Sequence, residues 1–585
     1  MKTTLALLFI FLLSLSASAQ NSDRWKTFYE QSNYLKTPRY AETIDYCRRL
    51  DAASSWVKYE SFGKSPQGRD LPLVILSKDG AFTPEAAAKT GKAVILIQSG
   101  IHAGEIDGKD ASLMLMRDIA ITKTKTHLLD HAIILIVPIF SVDGHERFGK
   151  YNRINQNGPE EMGWRVNANN LNLNRDYMKA DAPEMRAMLG LFSRWLPDFY
   201  VDCHVTDGID FQYSVTFAIE LFQNIDPAIG SWLRSKFVPE MTSEVERAGS
   251  LIAPYMGARE ENDLSKGFLF GPATPRFSTG YGAVQNRPSL LIETHVYKPY
   301  KTRVTATYHV LESTIGFVNT NARELKRLNR QADAATSQAA SLGAYIPLRF
   351  GTLEQSVPIV FRGWKTERKL SPVTGQMMTY YTHDTASVTV PYFDRATVID
   401  SVRLPMYYLI PEEWTAVIDV LKAHGISMSR LKTQRTLPIE SYRFSDGKWR
   451  ETPYEGRHPA SFKSALVKEE RIFPAGTVVV PTSQRTAKVI ANLLEPRASD
   501  SFVSWGFFDA IFEQKEYFED GVMEHIAGEM MSNDPALKKE FEAKVAADTA
   551  FAHNAYARLK FFYERSPYND TSIGLYPIAR YDGKF

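Results

Sequence analysis

Cysteine is almost absent from this 585-residue chain: Cys47 and Cys203 are the only two. So few thiols exclude a disulfide-built scaffold and a cysteine-rich metal cluster. Cys203 precedes a histidine in a strand that reads as buried, so two buried free thiols are expected. Charge of one sign is also missing. Lys and Arg total 69 against 67 Asp and Glu, a formal net charge of +2, so nothing favours a nucleic-acid partner or an anionic membrane surface. Internal repeats and low-complexity tracts are absent. After the first twenty residues no apolar run is long enough to span a bilayer, which excludes stable membrane insertion. What is present is a 44% apolar, 12% aromatic composition, too rich in core-forming side chains for a disordered chain, and a length that implies several domains.

The N-terminus, MKTTLALLFIFLLSLSASAQ, has a short positive start at Lys2, an apolar stretch Leu5–Leu15 and a small-x-small site at Ala17-Ser18-Ala19. This is the pattern of a cleavable secretory leader, so residues 1–19 are expected to be removed and the mature protein to be secreted or periplasmic. Beyond it, Ala93–Gly100 (AVILIQSG) and His131–Phe140 (HAIILIVPIF) are short continuous apolar runs. Strands buried on both faces of a parallel sheet read this way. Asp198–His204 (DFYVDCH) and Ser289–Glu293 (SLLIE) are shorter examples. Helical spacing appears at Ala41–Leu50, Asp110–Ile121 and Thr302–Lys326. It appears again after Asp181-Ala182-Pro183, where Met185, Met188, Leu189, Phe192 and Trp195 share one face and Asp181 is the expected cap. Strands alternating with helices predict an α/β domain with a mixed, mostly parallel sheet flanked by helices, over 20–335. Residues 336–430 read as a β-rich accessory region and 431–585 as a mixed, largely helical one. No motif in either announces chemistry.

Four places in the first half could carry chemistry. His102 and Glu105 follow the strand that ends at Gly100, and His204 ends the third such strand, Asp198–His204. In open α/β sheets ligands bind beyond the carboxyl ends of the strands, and two imidazoles with one carboxylate are the protein ligands of a catalytic zinc site. Taken singly, His-x-x-Glu equally suits a surface loop, and His204 a satisfied core histidine. Glu293 ends SLLIE and is a carboxylate placed to accept a proton from an activated water; the alternative is a structural carboxylate bonded to backbone amides. The segment Trp164–Asp176 holds five asparagines and two arginines. Asparagines favour turns, while arginine forks match carboxylates.

In this order the pieces resemble the zinc carboxypeptidase family (peptidase family M14), over roughly Tyr40–Arg323. The resemblance implies one Zn²⁺ held by His102, Glu105 and His204, with Glu293 as general base. It implies Arg165 polarising the scissile carbonyl, and Asn174 and Arg175 gripping the free C-terminal carboxylate of a peptide substrate. Ser141-Val142-Asp143-Gly144 resembles a turn of the family. Tyr281 is the candidate for its substrate-facing tyrosine, with a core phenol as the alternative. The sequence departs from the family at Gly104, where a bulky or charged residue is usual, and at Asn170 and Asn172. Two further functions remain open: a zinc amidase or deacylase of cell-wall peptides or N-acyl amino acids, and a binding protein without catalysis. Side-chain preference and oligomeric state are not fixed by the sequence.

Overall fold

The computed structural model describes residues 24–260 and 263–585. The leader assigned to residues 1–19 lies outside them. Among the described residues no helix is long and apolar enough to cross a membrane.

The centre of the first half is an eight-stranded mixed sheet. Its strands are β1 (Val57–Lys64), β2 (Asp70–Leu76), β3 (Ala93–Ser99), β4 (Ala132–Val137), β5 (Phe199–Thr206), β6 (Val215–Ile219) and β7 (Ile252–Pro254). After two short strands, β8 (Gly257–Ala258) and β9 (Phe268–Leu269), the eighth member is β10 (Ser289–His295). The spatial order is β1-β2-β4-β3-β5-β10-β6-β7. Neighbours β4-β3-β5-β10 are parallel; β1-β2, β2-β4 and β10-β6 are antiparallel. Every residue of β3 and β4 is buried, which is why both read as unbroken apolar runs. The turn 65–70 joins β1 to β2, with Gly68 at φ 81°.

Because β3, β5 and β10 run parallel, the residues after their carboxyl ends emerge on one edge of the sheet. Glu293 lies directly beside His204 in the β10–β5 register, and Ser99 beside Cys203 in β3–β5. The sheet thus brings His102, His204 and Glu293 to one edge although they are far apart in sequence.

Helices Asp107–Ala120 and Tyr300–Gln338 cover one face of the sheet. The second helix runs past the expected end near Lys326, with a kink at Asn321. Its polar extension is anchored through Asn329 to Asp198 and through Asp333 to Arg287. The helix Pro183–Trp195 covers the other face and buries the five predicted apolar residues. Its N-cap corrects one expectation. Asp181 makes no cap bond; Ala182 is the N-cap. Asp181 is held instead by Arg457 at 2.7 and 2.8 Å and by Lys179 at 3.0 Å.

The second half adds β11 (Tyr345–Thr352), paired with β14 (Ala396–Arg403), and the long hairpin β12 (Val357–Leu370) and β13 (Met377–Phe393), which joins β9 and β8 in a four-stranded sheet. A six-stranded sheet comprises β15 (Tyr407–Ile410), β16 (Ser429–Arg430), β17 (Arg435–Trp449), β18 (Ala460–Phe473), β19 (Val478–Pro481) and β20 (Ala579–Tyr581). Helices follow at 520–533, 535–547 and 555–563. Leu96, Tyr177 and Phe192 share one continuous buried cluster with Tyr408, Val480, Phe508 and Tyr576, so the C-terminal half packs into the same core as the second face of the main sheet. Cys47 and Cys203 are both free and buried.

Candidate metal centre and active site

His102, Glu105 and His204 converge. One ligand atom from each lies within 4.8 Å of the others, and all three side chains are buried. His102 Nδ1 is 3.1 Å from Glu105 Oε1 and His204 Nδ1 is 3.1 Å from Glu105 Oε2. The far nitrogen of each ring is tied down: His102 Nε2–H donates to Asn172 Oδ1 at 3.0 Å and His204 Nε2–H to Asp202 Oδ2 at 2.8 Å. Such partners fix ring orientation and tautomer in metal sites. Here they turn both Nδ1 atoms onto Glu105.

The electrostatics match a cluster that awaits a cation. Burial is the largest influence on His102 and lowers its pKa, against the opposing pull of Glu105. Its Nδ1, although 3.1 Å from Glu105 Oε1, is a buried polar atom without a well-aligned hydrogen bond. Burial also disfavours the charged form of His204, but the Asp202 charge and bonds to Asp202 and Glu105 outweigh it and raise its pKa. Burial likewise opposes the Glu105 carboxylate, yet His102 and Arg153 hold it well below its usual range. Two imidazoles turned onto one carboxylate form the donor set of a catalytic zinc site. The residues fit the ion.

Glu293 stands beside this cluster. Burial, then the charges of Glu105 and Asp202, hold its carboxyl well above the ordinary carboxylate range, against the opposing pull of His204. Its Oε2 is buried without a hydrogen-bond partner. The alternative of a carboxylate saturated by backbone amides therefore does not describe this atom.

A cavity of about 530 Å³ opens over the cluster, lined by His102, Glu105, Arg165, Asn174, Arg175, His204 and Glu293. The asparagine-rich segment forms one wall. Trp164 N bonds Gly144 O at 2.8 Å, and a Cβ at Gly144 would meet Val166 O at 2.2 Å, so the 141–144 turn seats Arg165. Arg165 Nη1 lies 3.3 Å from Glu105 Oε1. Asn174 Oδ1 accepts from Ser278 N at 3.1 Å. Arg175, which lines the cavity, donates to Asn174 O at 2.8 Å and stacks 4.3 Å above Phe277.

Tyr281 is not brought to the cavity. It is 1% exposed in the core, where its hydroxyl meets His424 Nδ1 at 3.1 Å and accepts from Gln285 Nε2 at 2.7 Å. This corrects its candidacy as the substrate-facing tyrosine: the helix Ser278–Val284 turns the ring into the core beside Phe192 and Tyr177. The phenol that does line the cavity is Tyr255. Its pKa is raised by burial and then by the charge of Glu293. Nothing in the sequence around Tyr255 sets it apart.

Four other residues of the site escaped the sequence reading. Arg153 donates to Glu105 Oε1 at 2.6 Å. It also accounts for the departure at Gly104, where a Cβ would meet Gly163 O at 2.6 Å and Arg153 Cγ at 2.8 Å. Asn172 and Asp202 act through the imidazoles. Asp202, two residues before His204 on the same strand face, was the more legible. Glu220, on the cavity wall, accepts from Ala273 N at 3.1 Å and Asn224 Nδ2 at 2.7 Å, and burial pushes it up to about 7.

Fold and site together suit a metal-dependent hydrolase of the α/β class. Residues 43–208 match the zinc carboxypeptidase family model. Carboxypeptidase 2 of Trichophyton rubrum is 25% identical over 496 residues, 80% of this chain and 84% of that protein. The carboxypeptidase 2 of Trichophyton equinum is also 25% identical, with the same coverage. Among solved structures, carboxypeptidase A from Helicoverpa armigera overlaps 49% of this chain and 74% of its own, at 17% identity and a TM-score of 0.35. Over residues 43–208 the chain is similar to the zinc carboxypeptidase family, and these likenesses support a metallocarboxypeptidase-type hydrolase.

Proposed function

We propose that this is an exported zinc carboxypeptidase that removes residues from the C-terminus of peptides, with its catalytic machinery in residues 20–335. The observation that carries the reading is a single cavity holding a His–Glu–His donor set, an unpartnered buried carboxyl and an arginine–asparagine pair. His102, Glu105 and His204 hold one Zn²⁺, which supplies Lewis acidity and activates water near neutral pH. Glu293 accepts the proton of the attacking water and returns it to the leaving amine. Arg165, whose Nη1 lies 3.3 Å from Glu105 Oε1, would stabilise the developing oxyanion. Asn174 and Arg175 bind the terminal carboxylate and so set the last peptide bond beside Glu293. The leader pattern of residues 1–19 supports export to the periplasm or medium.

An amidase or deacylase would share the metal cluster. The arginine–asparagine pair on the cavity wall favours a substrate with a free carboxylate. The test is metal analysis of the purified protein with digestion of matched peptides bearing free and amidated C-termini. One zinc per chain and stepwise trimming of the free form alone is the expected result. Equal cleavage of both forms, or release of amide products from muropeptides only, would replace the carboxypeptidase reading.

The two tyrosines give a second check. Tyr281→Phe should leave kcat/KM unchanged but lower the unfolding free energy by about 1–3 kcal/mol, since it strands His424 Nδ1 and Gln285 Nε2 in the core. Tyr255→Phe should raise KM by about tenfold, the loss of one hydrogen bond to a charged group, at unchanged stability. Denaturant unfolding and steady-state kinetics on the two variants would separate the roles, and the reverse pattern would return Tyr281 to the site.

A further inference from the structure

The metal site is braced from an unexpected direction. Asn172, which orients His102, lies in a segment with almost no regular structure, so its backbone groups need partners from elsewhere. The tip of the β17–β18 hairpin, 283 residues along the chain, supplies one: Asn172 N donates to Glu455 Oε2 at 2.8 Å. Asn172 Oδ1 in turn accepts from Asn174 N at 3.0 Å and from His102 Nε2 at 3.0 Å. A chain of hydrogen bonds thus runs from Glu455 through Asn172 to the ring of His102.

The hairpin tip shows the mark of that role. Tyr454 and Arg457 exchange backbone hydrogen bonds of 2.8 and 3.1 Å around Glu455 and Gly456. Both turn residues have positive φ, 52° and 75°. Asparagine or glycine is the local choice at the first such position, and a glutamate held in the left-handed region points to something its side chain does. Beside it, Arg457 grips both oxygens of Asp181, and a Cβ at Gly456 would lie 3.3 Å from Leu171. The C-terminal region also reaches the opposite wall. Asp500 binds the side chain and backbone N of Arg276 at 2.6 and 3.0 Å, next to the Phe277 on which Arg175 stacks.

We propose that Glu455 is a positioning residue of the metal site: the hairpin tip holds Asn172 so that His102 Nδ1 faces Glu105. The inference rests on the reading of His102, Glu105 and His204 as zinc ligands. It makes the second half of the chain part of the active-site framework.

The experiment titrates the full-length, metal-free protein with Zn²⁺ against a competing chelator and follows thermal melting of the metal-free form. Glu455→Gly removes the acceptor and relieves the left-handed strain. It should weaken zinc binding by about tenfold, the low end for partners outside the ligand set, with melting of the metal-free protein unchanged or raised. Glu455→Gln keeps an oxygen at the same reach and should restore affinity to within about threefold of the parent protein, the remainder being the lost charge. Should Glu455→Gly fail to fold, Glu455→Asn, suited to the turn but too short to reach Asn172, is read in the same way. Parental zinc affinity in the Gly or Asn variant would overturn the proposal while leaving the metal site intact. So would a Gln variant as weak as the Gly one. A parent protein that takes up no zinc would overturn both readings.

Discussion

Glu293→Gln should lower kcat on a peptide with a free C-terminus by roughly 10²–10⁴, the range for removing a positioned general acid–base group, while the protein still carries one zinc. Glutamine matches the size of the carboxylate and leaves β10 and its register with His204 undisturbed, but it cannot accept a proton. Glu293 suits the task because its Oε2 is buried without a partner, free to meet a water rather than committed to the fold. Its pKa has a consequence that can be measured. In the metal-free protein the carboxyl is held above its usual range by burial first and then by the charges of Glu105 and Asp202. A raised carboxyl is protonated at a pH where an ordinary one is ionised, and a base must be ionised to act. The rate should therefore climb as pH rises through the Glu293 pKa. Bound Zn²⁺ shifts that rise to lower pH, because the cation favours the ionised carboxylate. In Glu293→Gln the rising limb should vanish along with most of the rate. Full turnover, or loss of zinc together with turnover, would remove Glu293 from the role of base.

His102, His204 and Glu293 could be found in the sequence because of how a parallel sheet writes itself. β3, β4 and most of β5 are buried on both faces, so they appear as apolar runs. The polar residues just past such runs must emerge at one sheet edge. Asn172 left no comparable trace. Its role depends on a contact with His102 across 70 positions and with Glu455 across 283, and no local pattern records a hydrogen bond of that span. The choice between the two readings of Tyr281 was hidden for a related reason: the sequence does not record which way a short helix turns its ring, and the core alternative is the one observed. The hairpin β17–β18 was also hidden. Alternation is confined to two short pairs, Leu437 with Ile439 and Tyr442 with Phe444, which enter different core clusters; Pro438 lies inside the first, and proline argues against a strand with neighbours on both sides.

Arg175→Ala should raise KM for free C-terminal peptides by about 10–100-fold, the equivalent of the 1.5–3 kcal/mol that a hydrogen bond to a charged group contributes, with a smaller change in kcat. The guanidinium is held for this purpose from below and behind, 4.3 Å over Phe277 and bonded to Asn174 O, so its plane is fixed before a substrate arrives. A fork fixed in advance loses little freedom on gripping a carboxylate, and a lysine ammonium cannot reproduce its two parallel N–H groups. Arg175→Lys should accordingly recover only part of the affinity. The decisive quantity is the ratio of kcat/KM between free and amidated forms of one peptide. In the parent protein that ratio should be large; in Arg175→Ala it should collapse toward one, because only the free form loses a partner. An equal loss on both forms would mean that Arg175 braces the cavity wall rather than reading the carboxylate. The carboxypeptidase assignment would then yield to an amidase that shares the same metal cluster.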